Sequence, residues 1–155
     1  MEKRITQNIL IFFMQTSFFS VLIVSGFAHA RAWAPAPAFL TIAADLGVLL
    51  GLWIQWLAFK ANTFASIVVA VIPTQRVVSS GVYAAVRHPM YSGLLLSNFF
   101  IPLALGSWCG MPLFLLMLAV VILCLLDEEK LLRQSLPGYE EYRQNVKYRI
   151  IPGIW

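Results

Sequence analysis

Charge is what this chain has least of. Asp, Glu, Lys and Arg together make 12% of it while 60% is hydrophobic, against roughly 25% charged residues in soluble globular domains. That balance excludes an ordinary soluble domain, and it leaves too little basic surface for a nucleic-acid partner. Cysteine is scarce too. Cys109 lies in a predicted turn and Cys124 well down the helix that follows, about 22 Å away, so the two cannot bridge within one chain. His29 and His88 are remote from each other and no Cys/His pair has zinc spacing, so no metal site is expected. Internal repeats and low-complexity tracts are also absent.

Apolar sequence is what the chain has in abundance. Four runs stand out, 9–28, 38–59, 90–105 and 111–126, and they predict an all-α membrane protein with four transmembrane helices in a single domain, 1–155. The first two reach the ~20 residues that cross ~30 Å of hydrocarbon. The last two cover only about 24 Å as helices, with Tyr91, Lys130 and Arg133 placed to anchor or snorkel at the interface. With the amino terminus inside, every Lys and Arg except Arg31 falls on the inner face, so both termini are expected in the cytoplasm. The net charge of +4 then fits contact with anionic inner-leaflet lipid. The start also resembles a signal peptide, with Glu2-Lys3-Arg4 before the apolar run and a small-residue Ala28-His29-Ala30, although the run is longer than the usual 7 to 15 residues.

Between the runs, Ala34-Pro35-Ala36-Pro37 makes a tight outer connection, because a residue before proline is pushed out of the helical region. On the inner side, Phe64 to Ile72 is too short to cross and reads as an interfacial or strand-like piece ended by Pro73. Thr74 to Gly81 reads as extended chain closing in a turn. Pro89 suits a first helical position, with His88 extended before it. Gly106-Ser107-Trp108-Cys109-Gly110 joins the third and fourth runs as a tight helical hairpin. Leu136-Pro137-Gly138 ends the last helix, and Tyr139 to Val146 reads as a short amphipathic cytoplasmic helix. Tyr139, Tyr142, Tyr148 and Trp155, mixed with Arg143, Lys147 and Arg149, read as an aromatic and basic belt at the headgroups.

The hairpin carries the chemistry. Equal lengths of chain separate His88 from Gly106 and Gly110 from Glu128, so two antiparallel helices bring Arg87-His88 and Asp127-Glu128-Glu129 to one depth. Positive-inside topology explains the arginine but not three acids at the foot of an apolar helix, where carboxylates are costly unless paired or hydrated. Adjacent acids on a helix point about 100° apart. One is therefore expected to bind a ligand while the other pairs with Arg87, Lys130 or Arg133. Asp45 and Gln55 are the other polar groups of the second run. Asp45 lies far from this cluster and is expected to pair with a neighbouring hydroxyl or amide. Gly47 and Gly51 offer a helix-packing face, and Gly93 permits close packing.

Gly81-x-Tyr83, Arg87-His88-Pro89-x-Tyr91-x-Gly93, Glu128-Glu129, Pro137-Gly138-Tyr139-x-x-Tyr142 and the tail Tyr148-Arg149-Ile150-Ile151-Pro152-Gly153 resemble the membrane methyltransferases that include the isoprenylcysteine carboxyl methyltransferases and the phospholipid N-methyltransferases. The resemblance runs from about Gln75 to the end. It implies S-adenosylmethionine as cofactor at the cytoplasmic end of the bundle and a lipid or other lipophilic small molecule as acceptor. It places cofactor contacts at Gln75, Arg76, Val77, Val78, Tyr83, His88, Pro89, Met90, Tyr91 and Glu128, with Glu129 added by the phospholipid enzymes. Glu129 is the expected base for an amine acceptor, and Arg87 or Arg149 can orient a carboxylate or thiolate. Cys124 stands where the isoprenylcysteine enzymes carry a substrate-binding arginine, which argues against a prenylcysteine carboxylate. Two other readings remain open on these residues: a membrane reductase using NADPH, since sterol reductases share a His-Pro-x-Tyr element and a similar tail, and a non-enzymatic membrane scaffold. Oligomeric state is not legible.

Overall fold

The computed structural model describes residues 2–62 and 76–155. Gln75 and the interfacial piece expected over Phe64 to Ile72 lie outside the described residues. Five α-helices follow in order: α1 Glu2–Ala30, α2 Ala38–Ala61, α3 Pro89–Ala104, α4 Met111–Ser135 and α5 Tyr139–Asn145, with short 3₁₀ turns at Gly81–Ala84 and Trp108–Gly110. Among the described residues there is no strand. Among these residues, three stretches are long and apolar enough to cross a membrane: Asn8–Ala30, Ala38–Ala61 and Trp108–Ser135. Large apolar side chains such as Phe12, Phe39, Leu46 and Leu115 stand exposed on them, as expected of surfaces whose solvent is lipid. The third helix, α3, has 16 residues.

Helix starts and stops follow local chemistry. Pro89 occupies the first position of α3, with His88 non-helical before it, because a missing N–H costs nothing there. Gly106 turns the chain at φ +76°, and Ser107 Oγ then accepts from Cys109 N–H to open the 3₁₀ turn before α4. At the far end of α4, Leu136 caps the helix and Gly138 takes φ +82°, a left-handed conformation that costs glycine little.

The α1–α2 and α3–α4 connections are stitched together. Ala36 N–H donates to Gly106 O, Trp108 N–H to Ala34 O, and Ser107 Oγ to Trp33 O. The α1–α2 and α3–α4 loops therefore share one end of the bundle, and His88 and Glu129 share the other. The closest packing is between α2 and α3. A Cβ on Gly93 would meet Gly51 O at 2.5 Å, and one on Gly51 would meet Ser97 N at 2.5 Å, so only two facing glycines allow this approach. The small-residue face of α2 is thus consumed within the chain. On the other side, α1 packs along α4, burying Val21, Ser25 and Ala28 on α1 and Met117, Val121 and Leu125 on α4.

The tail departs from the headgroup-belt reading. Tyr139 and Tyr142 are buried with Leu136 and Val146, and Tyr142 Oη donates to Tyr83 O at 2.7 Å. Gly138 turns α5 back onto the loop before α3, so these rings pack inward. Tyr148 and Trp155 remain exposed.

Candidate active site

Arg87 and His88 sit where the loop enters α3, and the tail holds them there. Arg87 N–H donates to Tyr148 O and His88 N–H to Arg149 O, both at 2.9 Å, and Ser92 Oγ donates to Ile150 O at 2.7 Å. The Arg87 guanidinium reaches further into the same segment, donating from Nη1 to Val146 O (2.9 Å) and Lys147 O (2.8 Å). Three consecutive tail carbonyls, of Val146, Lys147 and Tyr148, thus converge on Arg87.

Opposite stands α4. Arg87 Nε meets Glu129 Oε1 at 2.8 Å, His88 Nε2 lies 3.3 Å from the same oxygen, and Arg149 Nε donates to Oε2 at 3.0 Å. Arg87, His88 and Glu129 are each about 95% buried. At that burial an isolated charge would be prohibitive, and the cluster persists because both carboxylate oxygens and the donors facing them are matched. The Arg149 side chain is partly exposed and lies against the Trp155 ring at 4.9 Å.

Glu128 has a different setting. About 100° of helix rotation separates it from Glu129, so it faces Tyr91, whose hydroxyl donates to Oε2 at 2.8 Å. It is half-buried, leaving a carboxylate oxygen within reach of a ligand. Beside the cluster, Tyr139 is 4% exposed and its hydroxyl has no partner among the described residues. Burial pushes this phenol well above its usual range, and the nearby Glu129 charge adds to the shift, so the hydroxyl is a standing donor. Tyr83 is raised too, chiefly by burial, with the Glu128 charge contributing.

A sequence profile described as phospholipid methyltransferase matches residues 39–137, from the start of α2 to the end of α4. The chain belongs to the phospholipid methyltransferase family. No curated protein gives a match. Membership makes the chain a membrane methyltransferase in general terms, and the matched stretch contains both the Arg87 to Gly93 segment and the acid pair.

Within this chain, the residues expected around the cofactor divide into two groups. His88, Pro89, Tyr91, Glu128 and Glu129 come together with Arg87 and Arg149 at the α3–α4 end. Met90 is half-buried in the first turn of α3; because the first helical bond there is Ser92 N–H to His88 O, the N–H groups of Met90 and Tyr91 precede the ladder. Tyr83 joins through its neighbours, since Tyr142 holds its carbonyl and Asn62 Nδ2 lies 3.5 Å from its hydroxyl. Val77 packs against the Tyr139–Tyr142 cluster, Val78 is half-buried and Arg76 is exposed.

Two expectations about roles need restating on this geometry. Glu129 was the expected base and Arg87 an expected substrate contact, yet each spends its polar atoms on the other and on the tail. Sequence reasoning also missed Tyr139 as a hydroxyl inside the site. The signal available, Tyr139 and Tyr142 on one face of a helix flanked by Glu140, Glu141 and Arg143, is an amphipathic face that fits either a membrane surface or a protein core.

Proposed function

We propose that the chain is a single-domain integral-membrane methyltransferase that transfers a methyl group from S-adenosylmethionine to a lipophilic acceptor, at a site on the α3–α4 end. The observation that supports this most directly is the pairing of a zwitterion-like field with a family assignment. Arg149 and His88 line one side, Glu128 the other, and the buried Tyr139 hydroxyl lies beside them. That donor and acceptor set fits the amino-acid end of the cofactor: Glu128 can accept from an ammonium or ribose hydroxyl, while the Met90 and Tyr91 N–H groups, His88 and Tyr139 can meet a carboxylate. The rings of Tyr91 and Tyr83 suit an adenine or a sulfonium cation. The cofactor, when bound, supplies an activated methyl group.

On this reading the chain's own residues position and exclude water. Glu129 is a positioning residue, because its carboxylate holds Arg87, His88 and Arg149 in register and has no capacity left to take a proton. The acceptor therefore brings its own lone pair, as a neutral amine, a carboxylate or a thiolate, into a site whose value is alignment in a dry environment. Arg149, the least confined guanidinium of the cluster, is the group placed to orient an anionic acceptor. We also place α3 across the bilayer as a fourth span, about 24 Å at 1.5 Å per residue, with both termini, α5 and the site in the cytoplasm, as the Lys and Arg distribution favours.

Calorimetric titration of S-adenosylmethionine into detergent-purified protein tests the site. Binding is expected for the native chain, and Glu128→Gln should weaken it about ten- to hundredfold, the worth of one charge-assisted hydrogen bond. Undiminished affinity in a folded Glu128→Gln protein would remove Glu128 from the site. Lipids extracted from cells with and without the protein, after labelling with methyl-tritiated cofactor, would identify the acceptor class.

A further inference from the structure

About ten residues along α3 from His88, some 15 Å toward the outer loops, the helices part. A cavity of about 320 Å³ lies between them, lined by apolar side chains such as Phe18, Leu52 and Met117 and by polar Gln15, Gln55, Ser97 and Asn98. Asn98 is 1% exposed. Its Nδ2 donates to Leu94 O at 2.9 Å, and because only the amide N–H₂ can serve a carbonyl, this bond fixes the orientation and leaves Oδ1 as the other end. Oδ1 has no partner among the described residues. Ser97 does not supply one, since its hydroxyl donates to Leu94 O and accepts from Gln55 Nε2. Pro102, inside α3 four residues on, has no N–H to give the Asn98 carbonyl. Asn98 Oδ1 is therefore a bare buried acceptor, which costs about 1–3 kcal/mol.

A second cavity, of about 440 Å³, shares Val48 and Ile101 with the first and reaches Asp45. From Gln55 to Asp45 is about 15 Å of α2, so the two spaces are neighbours along an apolar cleft beside that helix, with the polar station near its inner end. Each volume lies in the range of small-molecule sites, ~300–1,000 Å³.

We propose that this cleft is a binding site for a lipophilic alcohol, its hydroxyl donating to Asn98 Oδ1 and its apolar body lying along α2 toward Asp45. A hydroxyl suits the station because one oxygen can donate to Asn98 and accept from Gln55 Nε2, which would exchange one of its long bonds, to Gly51 O (3.4 Å) or Ser97 Oγ (3.3 Å), for it. An ester offers only acceptors, an amide N–H only a donor, and a hydrocarbon neither. The site lies away from Glu128 and Glu129, so occupancy requires neither the cofactor nor methyl transfer.

The test uses full-length protein in nanodiscs without S-adenosylmethionine and tritiated dodecan-1-ol, with protein-free nanodiscs subtracted for partitioning. Saturable binding is expected. Unlabelled dodecan-1-ol should compete at least about tenfold better than dodecyl acetate or dodecane, the worth of one hydrogen bond, and Asn98→Leu should lose a similar factor. Equal competition by dodecane, or no saturable component, would overturn the proposal. The competition series needs only the native protein, so it decides the matter even if Asn98→Leu fails to fold. A failed S-adenosylmethionine titration would leave this result untouched, which separates the two readings.

Discussion

Glu128 and Glu129 are neighbours in sequence with opposite fates. A rotation of about 100° per residue turns Glu129 into a buried cage of Arg87, His88 and Arg149 and leaves Glu128 half-exposed beside Tyr91. Neutralising them should therefore separate stability from binding. Glu129→Gln leaves the buried Arg87 without its counter-charge, and breaking such a pair costs about 3–5 kcal/mol. Melting in detergent is expected to drop sharply for Glu129→Gln and to stay near native for Glu128→Gln. A native-like melt for Glu129→Gln would mean that the tail carbonyls of Val146 and Lys147 hold Arg87 without help. The exposed Glu140, bridging Arg133 and Arg143, is a contrasting case, where solvent screens the pair and Glu140→Ala should leave the melt unchanged.

At the scale of elements, the α2–α3 contact is set by two hydrogen atoms. Gly93→Ala would drive a methyl group into the Gly51 carbonyl, and since backbone cannot step aside as a flexible side chain can, overpacking should cost about 1–3 kcal/mol. Gly26, with open space around it, provides the control: Gly26→Ala should melt at or above the native temperature, because helical alanine is favoured over glycine. Equal melts for the two variants would contradict the close approach of α2 and α3. This contact also marks where sequence reading stops. The hairpin, the start of α3 at Pro89 and the end of α4 before Gly138 were legible, because proline, glycine and apolar run length act locally. That Arg87 clamps the carbonyls of Val146 and Lys147 was not, since main-chain acceptors carry no side-chain signature. Tyr139 and Tyr142 misled for a related reason. An amphipathic face announces that it will be buried, and only the turn at Gly138 decides against what.

At the scale of the whole molecule, the stitched outer loops and the ion-pair cluster occupy opposite ends of one bundle, and their separation predicts a sidedness that can be measured. Cys109 lies in the outer loop and is partly exposed, whereas Cys124 is buried in α4, so the native chain carries one accessible thiol. With the basic residues inside, a membrane-impermeant maleimide should label Cys109 in intact cells. A Cys109→Ala chain carrying Lys147→Cys, an exposed tail position, should be labelled only after permeabilisation. The tail that holds Lys147 is hydrogen-bonded to Arg87 and His88, so the side on which Lys147→Cys reacts is also the side on which Glu128 opens. Labelling of both thiols from outside would mean that α4 does not cross the membrane between the α3–α4 loop and the tail. Labelling with the sides exchanged would leave α3 on the membrane surface or invert the bundle, and in either case would move the proposed cofactor site away from the cytoplasm, where a soluble nucleotide-like cofactor is supplied.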